Sequence, residues 1–261
     1  MSPQKNHQQA AAILHQLWTD KAQFDHLPEE VRPATREEGY AVQQAFAELH
    51  GKDLFGWKIA ATSVDGQRHI GVDGPLAGRL FSDRVFPDQT AVSLSSNLMQ
   101  VAEIEFAFKF AQALPPKKEQ YLVDEVMAAV GAVHPSIEIP DSRYRDFVHV
   151  GAPQLIADNA CANYFVFGPG AQNWAGFDFI DAEIIVSLNG SRIDSGFGRN
   201  VLGDPRLALT WIVNELSQLG IACEAGQVVT TGTCRIPVAV KPGDEIAADF
   251  GKLGRVSCRF A

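Results

Sequence analysis

A chain of 261 residues, 46% hydrophobic and 20% charged, can bury a sizeable core, which excludes bulk disorder and fits one large domain or a domain with a smaller appendage. With 22 Lys and Arg against 31 Asp and Glu, the formal charge is −9, so the surface repels phosphate backbones and nucleic acid is not an expected partner. An anionic small molecule is not excluded, because a bound cation and a few basic side chains reverse the sign inside one pocket.

The first ten residues, MSPQKNHQQA, read as frayed. Residues 8–20 and 36–51 then show helical spacing. In the second segment Tyr40, Val42, Ala45, Phe46 and Leu49 fall near one face, Thr35 is the expected N-cap with Glu38 in a capping-box position, and Gly51 ends the helix. Near residue 55 the character changes to short strand-like runs broken by Gly, Pro, Asp and Asn. Strands are predicted over 100–110, 129–139, 163–168, 182–189, 236–240, 244–250 and 254–260. Helices are predicted over 119–130 and 205–219. Asp204 caps the second of these, Pro205 is its N1 residue, and Gly220 follows it. Its apolar face is expected from Leu207, Trp211, Leu216 and Leu219. The result is an α+β chain: a helical region over 1–55, then a rolled or closed β domain over 56–261 whose strands pair non-locally.

The four cysteines, Cys161, Cys223, Cys234 and Cys258, form no CxxC pair and read as reduced residues in or near the core. No leader pattern opens the chain, and no apolar run of roughly 18 residues occurs. No membrane association is expected, and the expected compartment is the cytoplasm.

The most informative stretch is Val101-Ala102-Glu103-Ile104-Glu105-Phe106. In a strand, Glu103 and Glu105 share one face while Ile104 and Phe106 share the other. Two partly buried carboxylates on adjacent same-face positions repel each other and are costly without a compensating cation. Glu138, flanked by Ile137 and Ile139, is the expected third member. Three carboxylates suit Mg²⁺ or Mn²⁺, which prefer hard oxygen ligands and keep some positions for water or substrate. The alternative is a solvated strand face.

The segments GWKIAATS (56–63), GVDGPLAGRLF (71–81), EIEFAFKF (103–110), PSIEIPDSRY (135–144), ADNACANYFVFG (157–168) and GDPRLALTWIVNELSQLG (203–220) follow one another in order, with AGQVVTTGT after them. Together they resemble the 2-keto-4-pentenoate hydratase and 4-oxalocrotonate decarboxylase group of the fumarylacetoacetate hydrolase superfamily. The resemblance implies a mixed β roll with a smaller helical N-terminal part, a homo-oligomer, and a small 2-oxo acid substrate from aromatic-compound catabolism. It implies Mg²⁺ or Mn²⁺ on Glu103, Glu105 and Glu138, and maps the group's Lys and Asp onto Lys58 and Asp73.

Either reaction needs a proton donor and acceptor beside the metal. Lys58, in a partly apolar strand, is the candidate, with a lowered pKa expected from burial and a nearby cation; otherwise it is a structural Lys paired to an acid. Asp73 is the second catalytic candidate, orienting Lys58 or passing protons, or else it simply closes the Gly71–Gly78 turn. Asp158 and Asn159 are candidate substrate contacts, though Asx residues also start helices and turns. Gly232 and Thr233 offer N–H groups and a hydroxyl to a substrate carboxylate, or form a tight turn. Arg143 reads as structural. Similar hydratases carry a serine where this chain reads Ala160-Cys161-Ala162, which departs from the hydratase pattern. The fumarylacetoacetate hydrolases that the chain resembles use a histidine for hydrolytic C–C cleavage, and His69, His134 and His149 match no such motif. The readings are a hydratase of 2-hydroxypenta-2,4-dienoate, a decarboxylase of 2-oxo-3-hexenedioate, a C–C hydrolase, or a non-catalytic partner subunit.

Overall fold

The computed structural model describes residues 3–95 and 97–261. Two helices come first, α1 (Pro3–Asp20) and α2 (Arg36–His50). α1 takes in most of the stretch expected to fray; a proline in the first turn removes only an N–H that has no helical partner anyway. Thr35 caps α2 by accepting the Glu38 N–H at 3.3 Å, while the Glu38 carboxylate reaches back to the Ala34 N–H at 2.6 Å. Gly51 ends the helix with a left-handed φ of 62°. Leu14, Trp18, Val42 and Phe46 bury against Phe81, Tyr144 and Ala157 from later in the chain. Leu49 is not part of that face, being 51% exposed. The buried stripe passes instead to His50, whose ring lies 4.6 Å from that of Phe81.

The remaining elements are β1 (Leu54–Ala60), α3 (Val64–His69), β2 (Leu76–Phe81), β3 (Val85–Pro87), β4 (Thr90–Val92), β5 (Val101–Phe110), α4 (Val123–Ala128), β6 (Val130–Ile139), α5 (Ala152–Ala157), β7 (Tyr164–Phe167), β8 (Glu183–Leu188), β9 (Ser191–Phe197), α6 (Pro205–Gln218), β10 (Val228–Thr233), β11 (Val238–Ala239), β12 (Glu245–Asp249) and β13 (Arg255–Phe260). The larger sheet is ordered β2-β1-β10-β5-β6-β7-β3, with β11 alongside β5; the smaller is β4-β13-β12-β8-β9. The larger sheet curls into a half barrel. Its key pairings are non-local, as expected: β1 lies parallel to β10 with Lys58 opposite Thr230, and β10 antiparallel to β5.

One face of the larger sheet carries the main core. Ile104, Phe106 and Phe108 of β5 join Phe179, Phe250, and Ile184, Val186 and Ile246 of the smaller sheet. The Phe106 and Phe250 rings meet edge-on at 5.1 Å. α6 adds Leu209, Ile212, Val213 and Leu216. Its cap is the predicted one, Asp204 accepting the Arg206 N–H at 2.9 Å. Its buried face is rotated from the predicted one, leaving Leu207 47% exposed, because Ala208 and Leu209 take the inward positions. All four cysteines are buried free thiols. Among the described residues no helix is long and apolar enough to cross a membrane.

Candidate metal centre and active site

β5 and β6 run antiparallel, placing Glu103 opposite Glu138 and Glu105 opposite Ser136. Alternation along β5 turns Glu103 and Glu105 away from the core that holds Ile104 and Phe106. One carboxylate oxygen from each of Glu103, Glu105 and Glu138 lies within 4.8 Å of the others. Glu105 and Glu138 are 0% exposed, whereas Glu103 is half-buried, so the cluster meets the outside at Glu103.

These carboxylates are poorly satisfied. Glu105 Oε2 accepts the Gly232 N–H at 2.9 Å and the Thr230 hydroxyl. Glu105 Oε1 and both Glu138 oxygens have no hydrogen-bond partner, a costly arrangement for buried polar atoms. Burial, followed by the charge of Glu103, pushes the Glu105 carboxyl up to about 8, against the pull of Lys58 and the two donors. Burial raises Glu138 as well, with Glu103 and Glu105 adding to it and Lys58 opposing. A divalent cation would satisfy the orphaned oxygens and neutralise the repulsion, and an all-oxygen donor set suits a hard ion. The residues present therefore fit such a metal.

Lys58, on β1, is 2% exposed. Its Nζ lies 3.6 Å from Glu138 Oε2, an ion-pair separation beyond hydrogen-bonding reach, and donates to the Ala160 carbonyl at 3.2 Å. The expected fall in its pKa is not found. Burial does act downward, but the charges of Glu138, Glu103 and Glu105 outweigh it and the shift is upward. Those are the same carboxylates that a bound cation would neutralise, so the direction belongs to the metal-free cluster.

The other candidate residues separate by position. Asp73 has a side chain 90% exposed, facing Arg36 at 3.8 Å, and is not among the charges acting on Lys58. Asp158 is buried against the β6 exit: it accepts the Ser142 hydroxyl at 2.7 Å, the Arg143 N–H at 3.0 Å and the Arg143 Nε–H. Arg143 is thus an ion-pair partner of Asp158. Asn159 pairs with the β2 main chain, accepting the Arg79 N–H at 2.6 Å and donating to the Arg79 carbonyl at 2.8 Å. Gly232 and Thr233 belong to strand β10. Gly232 aims its N–H at Glu105, and its φ of 92° with the Thr62 hydroxyl 1.9 Å from where a Cβ would sit leaves no room for a side chain. The Thr233 hydroxyl donates to the Arg235 carbonyl at 2.7 Å. His134 stacks on Phe167 at 4.0 Å and its Nδ1 meets the Gly168 carbonyl, a packed histidine. His69 is the last residue of α3, and His149 pairs with Asp146 at the surface.

Sequence reasoning missed two members of the site, the Thr230 hydroxyl and the Ala160 carbonyl. Thr230 was findable: reading 228–233 as a strand puts it on the face opposite Val229, across from Lys58. A main-chain carbonyl carries no sequence signal.

Comparison with known proteins places this geometry. Residues 85–261 match the model of the fumarylacetoacetate (FAA) hydrolase C-terminal family. A 2-keto-4-pentenoate hydratase of Paraburkholderia xenovorans strain LB400 is 31% identical, with all of this chain and 96% of that protein covered. A 4-oxalocrotonate decarboxylase of Pseudomonas putida is also 31% identical, over 82% of this chain and 80% of that protein. Among solved structures, a 4-oxalocrotonate decarboxylase from Pseudomonas putida G7, complexed with magnesium and adipate, superposes with a TM-score of 0.89 at 26% identity, covering 100% of this chain and 99% of the other.

Proposed function

The chain belongs to the fumarylacetoacetate hydrolase family and is a lyase, and from that premise we propose that it is a divalent-metal-dependent hydratase. Its substrate is a small 2-oxo acid of the 2-hydroxypenta-2,4-dienoate type, and its product the 4-hydroxy-2-oxo acid. The observation that carries this reading is the buried Glu103–Glu105–Glu138 cluster, with three orphaned carboxylate oxygens and the Lys58 ammonium 3.6 Å from one of them.

Glu103, Glu105 and Glu138 would hold Mg²⁺ or Mn²⁺, which when bound would supply Lewis-acid polarisation of the substrate's 2-oxygen. Thr230 and Gly232 fix the orientation of Glu105 before any ligand arrives. Lys58 has three N–H donors; the Ala160 carbonyl takes one, and the other two are left to face Glu138 and the substrate. The held ammonium delivers a proton to the terminal carbon of the dienoate, and the resulting amine takes up the proton of the 2-hydroxyl, giving the ketone and restoring the ammonium. Water then adds across the conjugated double bond, and the atoms balance as substrate plus one water. With this reading go a cytoplasmic location, assembly from copies of the same chain, and residues 1–55 as a helical appendage to the catalytic region. Asp73, exposed and paired with Arg36, is given no chemical step.

A second reading is favoured by one comparison. The solved decarboxylase that aligns over the whole chain carries a diacid, adipate. The same cluster would serve loss of CO₂ from 2-oxo-3-hexenedioate.

An ultraviolet assay with Mg²⁺ or Mn²⁺ separates the two, offering 2-hydroxypentadienoate and 2-oxo-3-hexenedioate in parallel. Metal-dependent loss of the dienoate alone, abolished in a Glu103→Ala, Glu105→Ala variant, is the expected result. Consumption of the diacid with CO₂ release would make the chain a decarboxylase, and consumption of neither would overturn the substrate class.

A further inference from the structure

Asn159, Ala160 and Cys161 carry φ values of 57°, 50° and 61°. Three consecutive non-glycine residues in the left-handed region form a turn that local preference opposes, so the surroundings must impose it. Both side chains at its start are spent on that task. Asp158 is locked to Ser142 and Arg143 behind β6, while Asn159 uses both its carbonyl and its amide on the main chain of Arg79 in β2. Every side-chain oxygen and nitrogen of the two is thus engaged within the fold.

The main-chain carbonyls of the turn show what it delivers. The Asp158 carbonyl accepts from Arg143 Nη2 at 2.7 Å, that of Asn159 from the Ala162 N–H at 2.9 Å, and that of Cys161 from the Asp141 N–H at 2.9 Å. The Ala160 carbonyl is the one that leaves the scaffold and accepts the Lys58 ammonium. Gly78, opposite Lys58 in the β1–β2 pairing, makes this approach possible: a Cβ there would sit 2.3 Å from the Asn159 carbonyl oxygen.

We infer that Asn159 is a positioning residue, whose two-point clamp on Arg79 holds a left-handed turn so that the Ala160 carbonyl fixes the Lys58 ammonium beside the carboxylate cluster. Gly78 is the matching vacancy on the strand side. The inference deepens the proposed function and rests on the role given there to Lys58. It also moves Asn159 from substrate contact to scaffold.

Two variants disturb the turn by unrelated routes. Asn159→Gly keeps positive φ accessible but removes the clamp. Gly78→Ala leaves every polar group in place and pushes the turn off β2. Each is expected to lower kcat by roughly 10- to 100-fold, as a misplacement on the scale of an ångström does, with KM and Mg²⁺ affinity by calorimetry within about twofold of wild type. Melting temperatures of wild type, Asn159→Gly, Lys58→Met and the double variant complete a cycle needing no substrate. The loss from Asn159→Gly should be smaller in the Lys58→Met background, because the bond it protects is already gone. A raised KM with kcat unchanged would make Asn159 a substrate contact and overturn the inference, as would strictly additive melting losses. If one variant fails to fold, the other carries the kinetic comparison. If the wild type consumes neither 2-oxo acid, the proposed function fails while the melting cycle still decides the role of Asn159.

Discussion

Two buried charge clusters flank the same turn, and they are built in opposite ways. Around Asp158, every charge has been answered: its carboxylate takes the Arg143 guanidinium, the Arg143 N–H and the Ser142 hydroxyl, and the Trp18 ring packs over that guanidinium at 4.4 Å. Around Glu138, three carboxylate oxygens are left without a donor, and the one cation nearby stands 3.6 Å away. Burial does not distinguish the two, since Asp158 is 2% exposed and Glu138 0%. What distinguishes them is the hydrogen-bond count, and under the proposed function it separates a group that holds the fold from one that waits for a ligand.

The sharpest way to break this comparison is to delete one member of each cluster. Glu105→Ala should abolish Mg²⁺ binding and lower turnover by at least ~10³-fold, equivalent to about 4 kcal/mol. The metal-free variant should nevertheless melt close to the wild type, because relief of the repulsion with Glu103 offsets the acceptor lost to Gly232 and Thr230. Arg143→Met should do the reverse. Stranding Asp158 costs about 3–5 kcal/mol of stability, seen as an early denaturant midpoint, with Mg²⁺ affinity intact. A Glu105→Ala protein that is badly destabilised without metal would place the glutamates in the structural class.

Much of this was legible in the chain, and the reasons are local. Glu-Ile-Glu-Phe states its own alternation, so the shared face of Glu103 and Glu105 follows from strand geometry alone. Thr35, Gly51 and Asp204 announce helix ends through their side chains or the lack of one. The strand β10 escaped because VVTTGT owes its conformation to β1 and β5, far away in sequence, whereas β2 and β9 pair with the neighbouring β1 and β8 and escaped because LAGRLF and SRIDSGF lack a clean apolar–polar alternation. Asp158 and Asn159 were read as facing the substrate because their chemistry permits it. Only coordinates show that Arg143 and Arg79 already occupy them. The Lys58 shift was expected downward from burial and a bound cation, whereas in the metal-free cluster the summed field of three glutamates turns it upward.

A smaller effect comes from titration and metal together. In metal-free protein the folded-state pKa of Glu105, about 8, lies above its ordinary 4.5. The folded state then holds a proton that the unfolded state has released. The resulting stability is complete below about 4.5 and is lost as pH rises through about 8. Chelator-treated protein should therefore melt at progressively lower temperature across that window. Added Mg²⁺ should restore stability, by about 2.7 kcal/mol at a hundredfold excess over Kd. The gain should grow with pH, because the ligands bind as carboxylates. A chelated protein whose melting temperature climbs across the window would mean that the glutamates are ionised without a metal.

The mildest test compares one hydroxyl on each side. Thr230 and Ser142 both donate to a buried carboxylate, the first to Glu105 and the second to Asp158 at 2.7 Å. Thr230→Val keeps the shape of the side chain and removes the donor. Glu105 Oε2 then depends on the Gly232 N–H alone, and its orientation loosens. Mg²⁺ should bind about tenfold more weakly, the scale on which partners of metal-ligating carboxylates act, with little change in melting temperature before metal is added. Ser142→Ala should cost about 1 kcal/mol of stability and leave Mg²⁺ binding alone, because Asp158 keeps both Arg143 contacts. If Ser142→Ala also weakened the metal, the two clusters would be coupled through the turn between them. The tight hold of Asp158 would then serve the metal site as well as the fold.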